Sequence, residues 1–246
     1  MPCGANDQQL VMSGKRYSEK MPDNKKSPML GLNAQLSAYS KQSRDRNPDL
    51  STAYDALVAR LDSLDRGEIG PKLGEPMPNF TLPDEGGRLI DLQALRKSGP
   101  VVVSFNRGHW CPYCRLELRS LAAHHDRMRA LGASVVSIMP DNAQFTADYA
   151  ASNDLPFSVL SDMDLGYSLS LGLIFWVGPE VQRLYRDVGI ELEQYQGNGG
   201  HFLPTAAKFV VGQDGLVKAR RVNIEFRERM EPDEVVAAIE NLTDKA

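Results

Sequence analysis

The strongest constraint in this chain is the tetrapeptide Cys111-Pro112-Tyr113-Cys114 and the place where it falls. It follows Pro100-Val-Val-Val-Ser-Phe105, a β-branched apolar run without helical period that reads as a buried strand. It opens a helical pattern running from about Pro112 to Leu131, which Gly132 stops. The first turn of a helix carries unpaired N–H groups and about half a positive charge, so a thiolate placed there is favoured and its pKa falls below the free value of ~8.5. Pro112 suits that turn because it has no N–H to leave unpaired. Arg107, His109 and Arg115 are cations close by in sequence, and Trp110 is placed to cover one side of the sulfur. Spaced i and i+3, the two sulfurs share a helix face and can close one disulfide with little backbone movement. The expectation is that Cys111 sits toward the solvent end and Cys114 deeper, with one thiolate attacking and the other resolving the mixed disulfide.

Two other readings of the pair are weaker. A zinc site needs two further ligands, and the chain offers only Cys3 and four histidines, of which His124 and His125 are adjacent on a helix and point apart. Two inert core cysteines fit poorly at a strand-to-helix junction. Cys3 reads as an unpaired thiol on a tail. With three cysteines the chain is no disulfide scaffold. Net charge is -4, with no dense basic block beyond Lys25-Lys26 and Arg220-Arg221, so nucleic acid is not an expected partner. The sequence shows no apolar stretch of signal-peptide or membrane-spanning length, which gives an expectation of a cytoplasmic protein without a membrane partner. Neither a cofactor nor a metal is expected.

Residues 1–28 are polar and proline-containing and read as a disordered tail. Residues 29–70 read as a helical extension: Leu32, Leu36 and Tyr39 share one face, Asn47-Pro48 breaks the first helix, and Ala53, Leu57, Leu61 and Leu64 form a second stripe. This extension packs either on the main domain or on a partner subunit, which leaves a homodimer open. The main domain spans 74–244. A hairpin is expected at 79–82 and 88–90, strands at 134–139 and 157–160, and helices at 143–152, 162–171 and 179–187. A second hairpin is expected around Gly212-Gln213-Asp214-Gly215, and a closing helix from Pro232 to Leu242. Strands and helices that alternate and end in a hairpin specify a layered α/β domain.

From Gly74 onward the chain resembles the AhpC/TSA peroxiredoxin-like family of the thioredoxin superfamily. Three stretches carry the resemblance: Gly74-Glu-Pro-Met-Pro-Asn-Phe-Thr-Leu-Pro-Asp84; Phe105-Asn-Arg-Gly-His-Trp-Cys-Pro-Tyr-Cys-Arg-Leu-Glu-Leu118; and Pro156-Phe-Ser-Val-Leu-Ser-Asp162 with Phe209-Val-Val-Gly-Gln-Asp-Gly215. The resemblance implies a thioredoxin-like fold, a central mixed sheet flanked by helices. It implies reduction of hydrogen peroxide or organic hydroperoxides by the cysteine pair, and recycling by a thioredoxin-type thiol system. The alternatives are exchange of disulfides on proteins and a redox-sensing binding module. The family pattern Pro-x-x-x-Thr-x-x-Cys puts Cys114 in the attacking position, but Cys111 then replaces the Thr, Arg107 replaces the Pro, and the family's peroxide-binding Arg falls at about Ala206. In the thioredoxin register Cys111 attacks and Cys114 resolves, with Pro204 as candidate for the cis-proline that faces the cysteines.

Overall fold

The strand run before the cysteines is the centre of the molecule. In the computed structural model, which describes residues 30–64 and 69–243, β3 (Val101–Phe105) is buried along its whole length. The expected tail over residues 1–28 and Cys3 lie outside the described residues. β3 pairs in parallel with β4 (Ser134–Met139), which pairs in parallel with β5 (Ser158–Ser161). On its other side β3 pairs antiparallel with β8 (Ala207–Val211), and β8 with β9 (Val217–Val222). The order β5-β4-β3-β8-β9 makes one mixed five-stranded sheet. Period-2 alternation sorts its side chains onto two faces. Val101, Val103 and Phe105 pack with Phe80, Leu92, Tyr167 and Phe209. Val102 and Val210 pack under Leu118 and Leu121 of α4 (Pro112–Ala130) and Val235 and Ile239 of α9 (Pro232–Thr243). A small antiparallel hairpin, β1 (Thr81–Pro83) and β2 (Leu89–Asp91), and the short α3 (Leu92–Arg96) precede β3.

The N-terminal helices build a third core of their own. α1 (Leu32–Arg46) packs on α4, and α2 (Pro48–Asp62) packs on α7 (Pro179–Asp187). Leu32, Leu36, Tyr39, Tyr54, Leu57 and Leu61 join Cys111, Cys114, Trp110, Tyr113, Tyr185 and Phe226 in one cluster. The extension therefore packs on its own chain's domain, and it does so over the cysteines. Leu64, expected on the buried stripe, lies past the end of α2 and is exposed.

Distant polar groups bolt this helix pair down. Gly31 has no side chain to cap α1, so Glu231 accepts from the N–H groups of Leu32 and Asn33, both at 2.8 Å. Asn33 donates to Arg229 O at 2.8 Å and accepts from Arg229 N–H at 2.9 Å. Asp55 of α2 meets Arg227 at 2.7 Å. Because, among the described residues, Glu231 supplies the only side-chain cap at α1, Glu231→Ala is expected to cost about 1–2 kcal/mol of unfolding free energy in urea titration. An unchanged midpoint counts against this capping role.

Two expectations needed correction. Residues 162–171 are not one helix. Asp164 and Leu165 adopt left-handed backbone (φ 55° and 58°) within the 3₁₀ turn at 163–165, just before α6 (Gly166–Ser170). Buried Asp162 enforces the break, since its carboxylate caps the N–H groups of Tyr167 (2.9 Å) and Ser168 (2.8 Å). The stretch after it holds a two-stranded sheet that local pattern did not show. β6 (Ile174–Trp176) pairs antiparallel with β7 (Phe202–Pro204) across the intervening α7 and α8 (Leu192–Gln196), while α5 (Ala143–Asn153) lies earlier, between β4 and β5.

Candidate active site

The cysteine pair sits where β3 runs out and α4 begins. Cys111 is the N-cap of α4, its sulfur accepting from Cys114 N–H at 3.4 Å, and Pro112 takes the first turn. Getting there needs Gly108, whose φ is +143°; a Cβ at that position would stand 2.4 Å from Trp110 Nε1 and 2.9 Å from Asp141 Oδ1. Both cysteines are free thiols and both are fully buried. The expected solvent-end placement of Cys111 is thus corrected. α1, α2, α7 and Phe226 close over the helix start that an uncovered domain would expose.

Arg107 is the cation at the sulfur. Its Nη2 donates to Cys111 Sγ at 3.1 Å, and its backbone N–H donates to Cys114 Sγ at 3.4 Å. The guanidinium is wholly buried, lies 3.7 Å from the centre of the Phe226 ring, and is ringed by Tyr54, Trp110 and Tyr113 at 5.6 to 6.0 Å. Among the described residues no carboxylate pairs with it, and its Nε and Nη1 have no partner. Burial pushes the Cys111 thiol up, but the hydrogen bond from Cys114 and the Arg107 charge outweigh it and bring the pKa down to about 5. Cys114 goes the other way: burial and the adjacent Cys111 raise it well above the ordinary thiol value. The pair is thus split into a thiolate and a thiol.

A second charged group lies beneath. Glu117, one turn on from Cys114, is fully buried between Lys208 Nζ (2.9 Å) and Arg229 Nε (2.8 Å). Burial raises its carboxyl, yet the two cations prevail and hold it below the usual range. One carboxylate against two cations leaves net positive charge, and the Arg229 charge favours both thiolates. Arg229 also donates to the carbonyls of Phe226 and Glu228 and so holds the segment carrying Phe226.

The other residues singled out from sequence have different roles. Trp110 is buried against Tyr185, ring centres 5.2 Å apart, in the same cluster as both cysteines. His109 is held by a buried carboxylate and by aromatic rings of α5 and α8. Its backbone N–H and its Nδ1 both engage buried Asp141 (2.6 and 3.1 Å), and its ring stacks on Phe145 and meets the edge of Tyr195. It fastens the loop before Cys111 to α5 and α8. Pro204 ends β7 opposite Ile174, and its peptide bond is trans, as is every described one, so the cis-proline role is corrected. Its neighbours Leu203 and Ala206 are the ones in the cysteine cluster. Sequence reasoning missed Tyr54, Tyr185, Phe226, Lys208 and Arg229. For Lys208 a signal existed: a charge inside the apolar run Ala206-Ala-Lys-Phe-Val-Val211 demands a buried counter-charge.

The sheet, the helix that starts at the cysteine pair and the arginine-held thiolate define a thioredoxin-fold thiol redox protein. The family model for the AhpC/TSA family matches residues 73–220, and the chain belongs to that family. It is 29% identical over 151 residues to "Peroxiredoxin Q, chloroplastic" of Triticum aestivum, covering 56% of this chain and 69% of that protein. With "Peroxiredoxin Q, chloroplastic" of Oryza sativa subsp. japonica it shares 34% identity over 89 residues, 36% of this chain and 41% of that one, so the chain spans less than half the length of the rice protein. Among solved structures, the peroxidoxin BcpB of Mycobacterium tuberculosis superimposes with a TM-score of 0.55 at 21% identity, covering 70% of this chain and 98% of that one. That likeness confirms the fold, and both N-terminal helices precede the family-matched segment.

Proposed function

We propose that the protein is a thiol peroxidase in which Cys111 attacks and Cys114 resolves. The observation that carries the assignment is the contact of the Arg107 guanidinium with the Cys111 sulfur at 3.1 Å, in a site where Cys114 stays protonated. Family membership favours peroxide as the oxidant. The Cys111 thiolate attacks one peroxide oxygen; the S–O bond forms, the O–O bond breaks, and the other oxygen leaves as hydroxide or alkoxide and takes a proton. The Cys114 sulfur then attacks the sulfenic sulfur. The S–S bond forms and the hydroxyl leaves with the Cys114 proton as water. The sum is thiolate, thiol, peroxide and one proton giving disulfide, water and water or alcohol. A dithiol protein of the thioredoxin kind returns the two electrons, in keeping with a reducing, cytoplasmic setting.

The role assignment inverts the family's ordinary register and rests on charge placement. The position of the family's peroxide-binding Arg falls at about Ala206, which packs in the cysteine cluster, and Arg107 brings a guanidinium to the Cys111 sulfur instead. Stopped-flow mixing with hydrogen peroxide is expected to show the sulfenic-forming step in wild type and Cys114→Ser, and its loss in Cys111→Ser. In competition labelling near pH 6, iodoacetamide modifies Cys111 before Cys114. Faster modification of Cys114, together with peroxide reactivity surviving in Cys111→Ser, reverses the roles.

A further inference from the structure

Among the described residues, Arg107 Nε and Nη1 and Trp110 Nε1 are buried donors without an acceptor near Cys111, and a further hydroxyl donor comes from outside the family-matched segment. Tyr54, on α2, and Tyr185, on α7, are both buried, and their hydroxyl oxygens lie 3.1 Å apart. A pair of phenols carries two protons, and the bond between them uses one. The Tyr54 ring lies 5.6 Å from the Arg107 guanidinium carbon, and the Tyr185 ring packs on Trp110, the neighbour of Cys111. Arg107 adds its unpartnered Nε and Nη1 to the same enclosure. A buried donor without an acceptor costs about 1–3 kcal/mol, so such an arrangement fits a ligand that is all acceptor. The departing oxygen of a peroxide becomes such an acceptor as the O–O bond lengthens and negative charge gathers on it.

We propose that Tyr54 and Tyr185 are catalytic residues whose paired hydroxyls, beside the open edge of Arg107, hold and protonate the leaving oxygen of the peroxide. The proposal rests on the peroxidase reading above and assigns the N-terminal helix pair a part in the chemistry. The step balances. The thiolate electron pair forms the S–O bond, the O–O pair goes to the leaving oxygen, and a phenol proton follows it; the phenolate regains its proton from solvent only after the water or alcohol has left the site. Burial pushes the Tyr185 phenol up to about 12, partly offset by Arg107, and this remains below the ~15.7 of water, so transfer to hydroxide is downhill. A thiolate at Cys111 raises both phenols, as expected of groups in its field. With both sulfurs enclosed, the leaving oxygen has no bulk water to supply its proton.

The test uses the full chain with Tyr54→Phe, Tyr185→Phe and the double variant, which keep the ring packing on Phe226 and Trp110. For hydrogen peroxide, each single change is expected to slow sulfenic-acid formation roughly ten- to a hundredfold, and the double change little further, since the pair shares one spare proton. The pH profile of Cys111 alkylation stays where it is. Peracetic acid, whose acetate leaving group needs no proton, slows less than about threefold. Equal losses with both oxidants mean that the tyrosines act only through packing and overturn the proposal. So does a double variant within twofold of wild type toward hydrogen peroxide. A wild type that alkylates at Cys111 but does not consume peroxide removes the peroxidase reading itself, and the proposal with it.

Discussion

Oxidation of Cys111 and Cys114 to a disulfide is expected to lower the thermal midpoint of this protein, the reverse of the usual effect. A disulfide stabilises chiefly by shortening the unfolded chain, and a bond between residues three apart closes so small a loop that the gain is about 2 kcal/mol. Against this stands Arg107. Its guanidinium is wholly buried, and the Cys111 sulfur is its hydrogen-bond partner. A disulfide is neutral. Forming it removes the anion and leaves a buried cation without a counter-charge, which costs about 3–5 kcal/mol. The net loss of about 1–3 kcal/mol corresponds to a fall of roughly 2–12 °C for a chain of this size. The same imbalance makes the disulfide a ready oxidant, because stabilising the thiolate stabilises the reduced form. Thermal scans of reduced and oxidised protein, with the redox state checked by mass, decide the matter. A higher midpoint for the oxidised form shows that Arg107 finds another partner.

The gap between the two forms also depends on pH. Cys111 is depressed in the fold, to about 5, from an unfolded value near ~8.5. Between those values the unfolded chain binds a proton that the folded chain does not, so folding stability rises with pH. The contribution of the thiolate is full above about pH 8.5, shrinks as pH falls, and is gone below about 5. The oxidised protein has no such thiol. Reduced-minus-oxidised stability is therefore expected to be largest in mild alkali and smallest near pH 5.

What the sequence revealed, and what it hid, follows from the range of the interactions. The strand Val101–Phe105, the helix from Pro112 and the helix Pro179–Asp187 are fixed by local pattern, and local pattern found them. The cysteine pair and Arg107 stand within a few residues of one another, so they too were legible. Tyr54 and Tyr185 meet across 131 positions, and Glu117 joins Arg229 across 112. No periodicity encodes those meetings; they exist because α2 packs on α7 and the segment before α9 returns to α4. For the same reason the burial of Cys111 was missed. Its exposure is set by α1 and α2, well before it in the chain, and by α7 and Phe226, well after it, and the helix-start argument alone places it at the surface.

Removal of the Arg107 charge is expected to have the largest effect on reactivity. In Arg107→Met the side chain keeps an apolar stem suited to the ring cage of Phe226, Tyr54 and Trp110, while Cys111 loses its guanidinium. Burial then acts on the thiol with only the hydrogen bonds from Cys114 and the more distant Arg229 to oppose it, and the pKa climbs from about 5 toward or beyond the ordinary ~8.5. At pH 7 a thiol at ~8.5 is about 3% thiolate, so alkylation and peroxide reaction slow at least roughly thirtyfold. The loss is one of ionisation, so raising the pH to about 9 recovers much of it. Removing the cation also removes the cost of oxidation, and the disulfide form of Arg107→Met is expected to melt at or above its reduced form. Arg107→Lys restores little, since a compact ammonium on a shorter stem lacks the planar fork that reaches the sulfur while stacking on Phe226. The decisive measurement is the pH dependence of Cys111 alkylation in the three proteins. A midpoint for Arg107→Met that stays near 5 assigns the depression to the helix start and the buried Glu117–Lys208–Arg229 group, and takes Arg107 out of the reaction.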